Sequence, residues 1–307
     1  MSIGMKLGIY SALDAAAGGG ASLPNMGGRG VFGNGSGGGW PVLRAVDYIT
    51  ISTTGNATDF GDMTHEEDAT MAAVSNNTRG VWAGGQGNSN VIQYITISTP
   101  GNSTDFGNLT VSRQAMGGCS NGTRGAFTGG WNGSNVIDYI TIATTGNAID
   151  FGDLTIKAQF PAACADTTRG IFAGGEQPSA RRYVIDYITI ATTGNATDFG
   201  DLTTNAYKRA GCSNNIRGVF GGGTNDTVMD YITIATTGNA TDFGDLTDGR
   251  QRPASCGDGT KGVWAGGHNN SGYRNTIDYV TIATTGNAVD FGDLTVARER
   301  AGGCSGD

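Results

Sequence analysis

Carboxylates, guanidinium groups, five thiols and two imidazoles are the side chains of this 307-residue chain that could do chemistry, and nearly all of them recur in phase. Aspartates stand in a repeated turn beside Asn and Gly: Asp59 and Asp62, Asp105, Asp150 and Asp153, Asp198 and Asp201, Asp242 and Asp245, and Asp290 and Asp293. A cation held there would need several oxygen ligands converging on one point. Asp, Asn and Gly in one short turn are better explained by side chains that satisfy local backbone amides, so no metal site and no cofactor is assigned. The thiols Cys119, Cys164, Cys212, Cys256 and Cys304 come once per stretch, with Val74 replacing Cys in another. Odd in number and alike in phase, they read as small buried apolar residues rather than a closed disulfide set. His65 and His268 lie in different stretches, which leaves catalysis little to stand on. No catalytic residue is assigned and the chain is not expected to be an enzyme. Asp138 and its equivalents precede a Tyr, and Gln93 at the same place shows that charge is not required, which fits a hydrogen-bond acceptor between repeated units. A basic residue recurs at Arg29, Arg79, Arg124, Arg169, Arg217 and Lys261 and is expected to pair with one of these acids.

The elements that position these groups follow from the repeat itself. The Tyr of Asp-Tyr-Ile-Thr-Ile and its variants falls at Tyr48, Tyr94, Tyr139, Tyr187, Tyr231 and Tyr279, in steps of 44 to 48 residues. A Phe follows each Tyr by twelve positions, at Phe60, Phe106, Phe151, Phe199, Phe243 and Phe291. Each unit holds four strand-like runs, in one copy about 115–120, 125–129, 136–143 and 148–155. Four short strands in about 45 residues is the arithmetic of a β-propeller blade. Blades packed face to face bury both faces of each sheet, which explains why Ile137, Tyr139, Ile140 and Ile142 do not alternate strictly with polar residues. The predicted fold is therefore all-β, a six-bladed propeller with four antiparallel strands per blade.

The phase of the two ends predicts how the ring closes. The first unit begins at Arg29 with its second strand, and Arg300-Ala-Gly-Gly-Cys-Ser305 matches the first strand of other units. The C-terminal strand is thus expected to complete the first blade, so that blades span 29–64 with 296–307, then 65–110, 111–155, 156–203, 204–247 and 248–295. Composition agrees. The chain has 54 Gly but only 6 Pro and no Gly-X-Y period, which excludes collagen, and 37% apolar residues at fixed intervals disfavour disorder. A net charge of −8 with no basic run longer than Arg181-Arg182 argues against nucleic acid. No apolar stretch is long enough for membrane insertion.

The order Arg, small apolar strand, Gly-Gly, Tyr and later aromatic resembles the kelch repeat over roughly 29–307, with paired glycines at Gly84-Gly85, Gly129-Gly130, Gly174-Gly175, Gly222-Gly223 and Gly266-Gly267. The chain departs from that pattern in placing Phe twelve residues after the Tyr, where kelch units usually carry Trp about six after it. The near-verbatim string from Asp186 to Leu202, repeated from Asp230 to Leu246, also resembles repeats in structural proteins of marine bacteriophages, notably those of cyanobacterial hosts. That resemblance implies a virion component, present in several copies beside other virion proteins and assembled in the host cytoplasm. Kelch-like copper oxidases need a cluster of Tyr, Cys and His that two separated histidines do not supply. Sialidase-type propellers need an Arg triad with a Tyr nucleophile, whereas the Arg repeated here reads as scaffold.

In a propeller, loops joining strands one to two and three to four share one face; loops joining two to three and four to one share the other. The first pair is nearly invariant, and the second varies even in length, as at 33–45, 86–90, 131–135, 176–183, 224–227 and 268–276. The variable face is expected to contact a receptor or host-surface glycan through Trp40, Arg44, Trp131, Arg181, Arg182, Tyr183, His268, Tyr273 and Arg274, since exposed aromatics and Arg are the usual anchors. Residues 1–28 lie outside the repeat and read as an anchoring arm, with Leu7, Ile9 and Leu13 as docking positions and a hinge at Gly18-Gly19-Gly20. The alternatives are a lectin-like or sialidase-like carbohydrate propeller and a cytosolic interaction scaffold.

Overall fold

The computed structural model describes residues 27–37, 43–65, 71–85, 87, 89–131, 133–177, 180–205 and 207–307; Leu7, Ile9, Leu13 and Trp40 lie outside them. The described residues contain no helix and form six four-stranded antiparallel sheets, the blades of a propeller. In the third blade the strands are, from the axis outward, Gly117–Ser120, Arg124–Thr128, Ser134–Thr141 and Ile149–Ala158. The inner strands of the others are Gly302–Gly306, Ala72–Ser75, Ala162–Ala165, Ala210–Ser213 and Ala254–Gly257. Closure is as the phase predicts: Gly302–Gly306 pairs antiparallel with Arg29–Gly33 and sets Cys304 opposite Val31. Two short hairpins, Glu176–Gln177 with Ala180–Arg181 and His268–Asn269 with Gly272–Tyr273, extend the loops after the second strands of blades four and six.

Each core cluster lies between two blades, which is why the strands bury both faces. Val31 and Phe60 of the first blade pack with Trp82 and Ile97 of the second, whereas Val81, beside Trp82 in sequence, packs with Phe127 and Ile142 of the third. Six inner strands can converge on one axis only with small residues at the contact. The five cysteines are buried there, and Cys119 Sγ lies where a Cβ on Gly170 of the next blade would meet it at 2.6 Å. Burial raises the pKa of these thiols, Cys119 among them, so they behave as packing atoms and not as nucleophiles.

The near-invariant string is an inter-blade latch. The loop that ends in Thr-Gly-Asn crosses to the outer strand of the preceding blade, where Gly146 N–H donates to Phe106 O (2.8 Å), Ala148 N–H to Asn108 O (2.8 Å), and Asn147 Oδ1 accepts from Asn108 N–H (3.0 Å). The same set closes the ring, since Asn56 Oδ1 accepts from Asp293 N–H at 3.1 Å. The Gly of Asp-Phe-Gly must lack a Cβ because the partner backbone comes so close: at Gly152, with φ +142°, it would stand 2.6 Å from the Gly194 carbonyl. The amide acceptor of this turn is thus the Asn, across the blade boundary, and the acceptor within the one-to-two loop is another residue, Asn76 taking Thr78 N–H and Arg79 N–H. The twelve-residue Tyr–Phe spacing brings the rings edge to face at 5.8 to 6.0 Å in all six blades.

One expectation is corrected. The basic residue of the second strand does not pair with an acid. Arg124 lies over the Tyr139 ring, 4.6 Å from its centroid, and donates to the carbonyls of Ile190 and Ala191 in the next blade. Lys261 does the same over Tyr279 with Ile51 and Ser52. An aromatic face and two carbonyls left at a strand end satisfy the cation without a carboxylate.

Candidate binding site at the channel mouth

Beneath the variable face, the acid preceding each Tyr is buried and engaged from two sides. Thr155 of the third blade donates to Asp186 of the fourth at 2.5 Å, and Thr110 to Asp138 and Thr295 to Asp47 repeat that inter-blade bond. An Arg supplies the counter-charge by three routes. Arg113, Arg250 and Arg298 come from the segment before the inner strand and reach Asp138, Asp278 and Asp47. Arg209 comes from three residues closer to the strand and meets Asp230 at 2.5 Å, and Arg182 comes from the two-to-three loop and stands 3.7 Å from Asp186. Where the second blade has Gln93, the neutral amide is held by Ser103 and Thr64 hydroxyls. Burial lowers the pKa of Arg113, Arg182 and Arg298, opposed by the neighbouring acid, and burial raises that of Asp186.

Above this ring of pairs the channel opens in a cavity of about 80 Å³, lined by Phe160, Lys208, Arg252, Arg300 and small residues that include Ala115 and Pro161. Ala115, Phe160, Lys208, Arg252 and Arg300 occupy one phase, four positions before each cysteine, and all five are left-handed, with φ between +54° and +65°. Neighbouring blades tie this ring together through Phe160 N–H to Ala115 O (2.7 Å), Arg252 N–H to Lys208 O (2.8 Å) and Arg300 N–H to Arg252 O (3.1 Å). Left-handed backbone disfavours every side chain but is natural to glycine. A chain with 54 glycines nonetheless holds none at these five stations.

The groups at the mouth are mostly cationic and aromatic. Lys208 Nζ lies 4.3 Å from the Tyr207 ring centroid, 5.6 Å from that of Phe160 and 3.3 Å from Gln251 Oε1. Arg252 stands 5.3 Å from the Phe160 ring and donates to both oxygens of Glu299 at 3.0 Å, while Arg300 Nε lies 2.9 Å from the same carboxylate. Burial, and then the charge of Arg252, lower the pKa of Lys208 to about 8. Exposed Trp131 sets its ring edge to face against Phe160 at 6.1 Å.

The residues expected on this face are distributed unevenly. Trp131 and Tyr183 are exposed, at 49% and 45%. His268 and Tyr273 are half-buried and pack on each other at 5.1 Å, Arg274 is held by Asp248 at 2.9 Å, and Arg44 is half-buried. Arg181 lies in its short hairpin. Arg182 does not present a guanidinium to a partner, because it is buried against Asp186. Phe160, Lys208, Arg252, Glu299 and Arg300 are absent from the sequence-based set. The phase of the cysteines was the signal for four of them, but the residue type at that phase changes from Ala to Phe, Lys and Arg along the chain. Among the described residues no group of acids, His and Cys is arranged to hold a metal. No family model and no curated protein matches this chain.

Proposed function

We propose that the chain is a non-catalytic binding ring, a structural component of a phage virion such as its tail or an outer appendage, which presents its variable face to a host-surface glycan or receptor. The observation that carries this reading is the division of labour between the two faces. On one, six near-identical loops are absorbed in holding blade to blade, as Asn147 and Asn56 illustrate. On the other, Trp131 and Tyr183 are exposed, and a cationic mouth keeps Phe160, Lys208, Arg252 and Arg300 at left-handed stations. Scaffolds carry function on such individual loops. The virion assignment is supported by the phage-like string from Asp186 to Leu202 and from Asp230 to Leu246, and residues 1–28 are its proposed anchor. Two experiments test the reading. The chain should co-sediment with intact particles and lose that association when residues 1–20 are deleted; a chain found only in the soluble fraction contradicts the virion assignment. Immobilised host envelopes should capture the soluble ring, and the paired change Trp131→Ala and Tyr183→Ala should weaken capture at least tenfold.

A further inference from the structure

We propose that the channel mouth is a subsite for a carboxylated saccharide, whose carboxylate enters among Lys208, Arg252 and Arg300 while its ring lies on the open face of Trp131. The proposal rests on the reading of the variable face as a binding surface and names what that surface takes. Four observations carry it. First, among the described residues three cations, Lys208, Arg252 and Arg300, gather at the mouth of a chain whose net charge is −8, with Glu299 and Glu176 as the acids that act on Lys208. Second, Lys208 has a neutral amide as its hydrogen-bond partner, Gln251, where a carboxylate would satisfy it better. Third, the cavity of about 80 Å³ is several times the roughly 10–15 Å³ that one water needs, so it admits a carboxylate but not a macromolecular segment. Fourth, the backbone stays left-handed at Phe160, Lys208, Arg252 and Arg300 although glycine would relieve the strain, and strain of this kind collects at ligand clamps.

The charge balance selects the class. The carboxylates Glu299 and Glu176 at the rim would repel a dianion such as a phosphate monoester more strongly than a monoanion, which a carboxylate is. The exposed Trp131 ring, braced edge-on by Phe160, offers a flat apolar face to a pyranose beside polar groups, which is the mixed surface an amphipathic sugar needs. Affinity should fall as pH rises through about 8, because Lys208, faced by Arg252, Arg300, Glu176, Glu299 and Tyr207, then loses its proton.

Titration calorimetry on the full chain with oligogalacturonate and oligosialate, each against its neutral methyl ester, tests the assignment. At least one acidic oligomer should bind, with its ester at least tenfold weaker. Lys208→Gly and Arg252→Gly should each lower affinity at least tenfold, and Lys208→Gly should leave the melting temperature unchanged or higher, since glycine suits that backbone angle. Trp131→Ala should weaken binding severalfold. Failure of both acidic oligomers to bind, equal binding of acid and ester, or acetate matching the oligomer would each overturn the proposal. If envelopes still capture the ring through Trp131 and Tyr183 while neither acid binds, the face reading stands and the mouth assignment falls; if capture also survives the paired alanine change, both fall.

Discussion

The two faces of the ring are built from the same four strands per blade, yet their loops answer to different constraints. A loop on the uniform face must reach the outer strand of the preceding blade, so Gly146, Asn147 and Ala148 each have a fixed partner there and every copy of the string must repeat. On the variable face the four-to-one loops join neighbouring blades through backbone groups that any residue supplies, as from Phe160 N–H to Ala115 O, and a two-to-three loop needs only to return the chain to the next strand. These loops are therefore free in length, and supply the buried Asp with its Arg by whichever route is to hand: Arg113, Arg209 or Arg182. Repetition of sequence here marks side-chain contact between blades, and where blades meet through backbone alone, as from Phe160 N–H to Ala115 O, the side chains are free to differ.

The comparison can be broken most forcefully beneath the variable face. Removing Arg113 leaves Asp138 buried and unpaired, and should cost about 3–5 kcal/mol in urea melts. Arg113→Met combined with Asp138→Gln should recover most of that loss, because the second blade already lives with Gln93; an additive double mutant would show that the pair is not a unit. On the uniform face, Gly152→Ala forces a Cβ against the Gly194 carbonyl in a left-handed backbone and should cost about 1–3 kcal/mol. Asn147→Ala deletes one latch bond and should cost about 1 kcal/mol. Trp131→Ala, on the exposed surface of the variable face, should stay within about 0.5 kcal/mol, which sharpens the contrast by separating stability from binding. The smallest effect concerns pH. The folded chain holds the Lys208 proton less tightly, about 8 against the usual 10.5, so the unfolded chain binds more protons between those values. Stability should consequently rise slightly from pH 8 to 10.5, and Lys208→Met should flatten that rise.

Much of this architecture was legible in the sequence because it is periodic. Tyr and Phe twelve apart measure the end of a strand, the latch loop and the start of the next strand, and the phase of Arg300 to Ser305 foretells its pairing with Arg29–Gly33. What could not be read depends on contacts between blades or on backbone angles. The Arg of the second strand pointed toward the acids by charge alone, yet the Tyr139 ring and carbonyls of the next blade lie nearer to Arg124. Arg182 looked like its neighbour Arg181, and only the fold shows that the blade lacks an Arg before its inner strand and draws one from the loop to meet Asp186. The mouth was hidden for the opposite reason from the latch: Ala115, Phe160, Lys208, Arg252 and Arg300 share a backbone angle but no single residue type, so repetition could not flag them.

The most direct test of the account is capture of the soluble ring by immobilised host envelopes, compared between two pairs of exposed positions. On the variable face the pair is Trp131→Ala with Tyr183→Ala; on the uniform face it is Thr145→Ala with Thr193→Ala. The account predicts at least a tenfold loss for the first pair and unchanged capture for the second. Loss confined to the second pair, or equal capture by both, would contradict it.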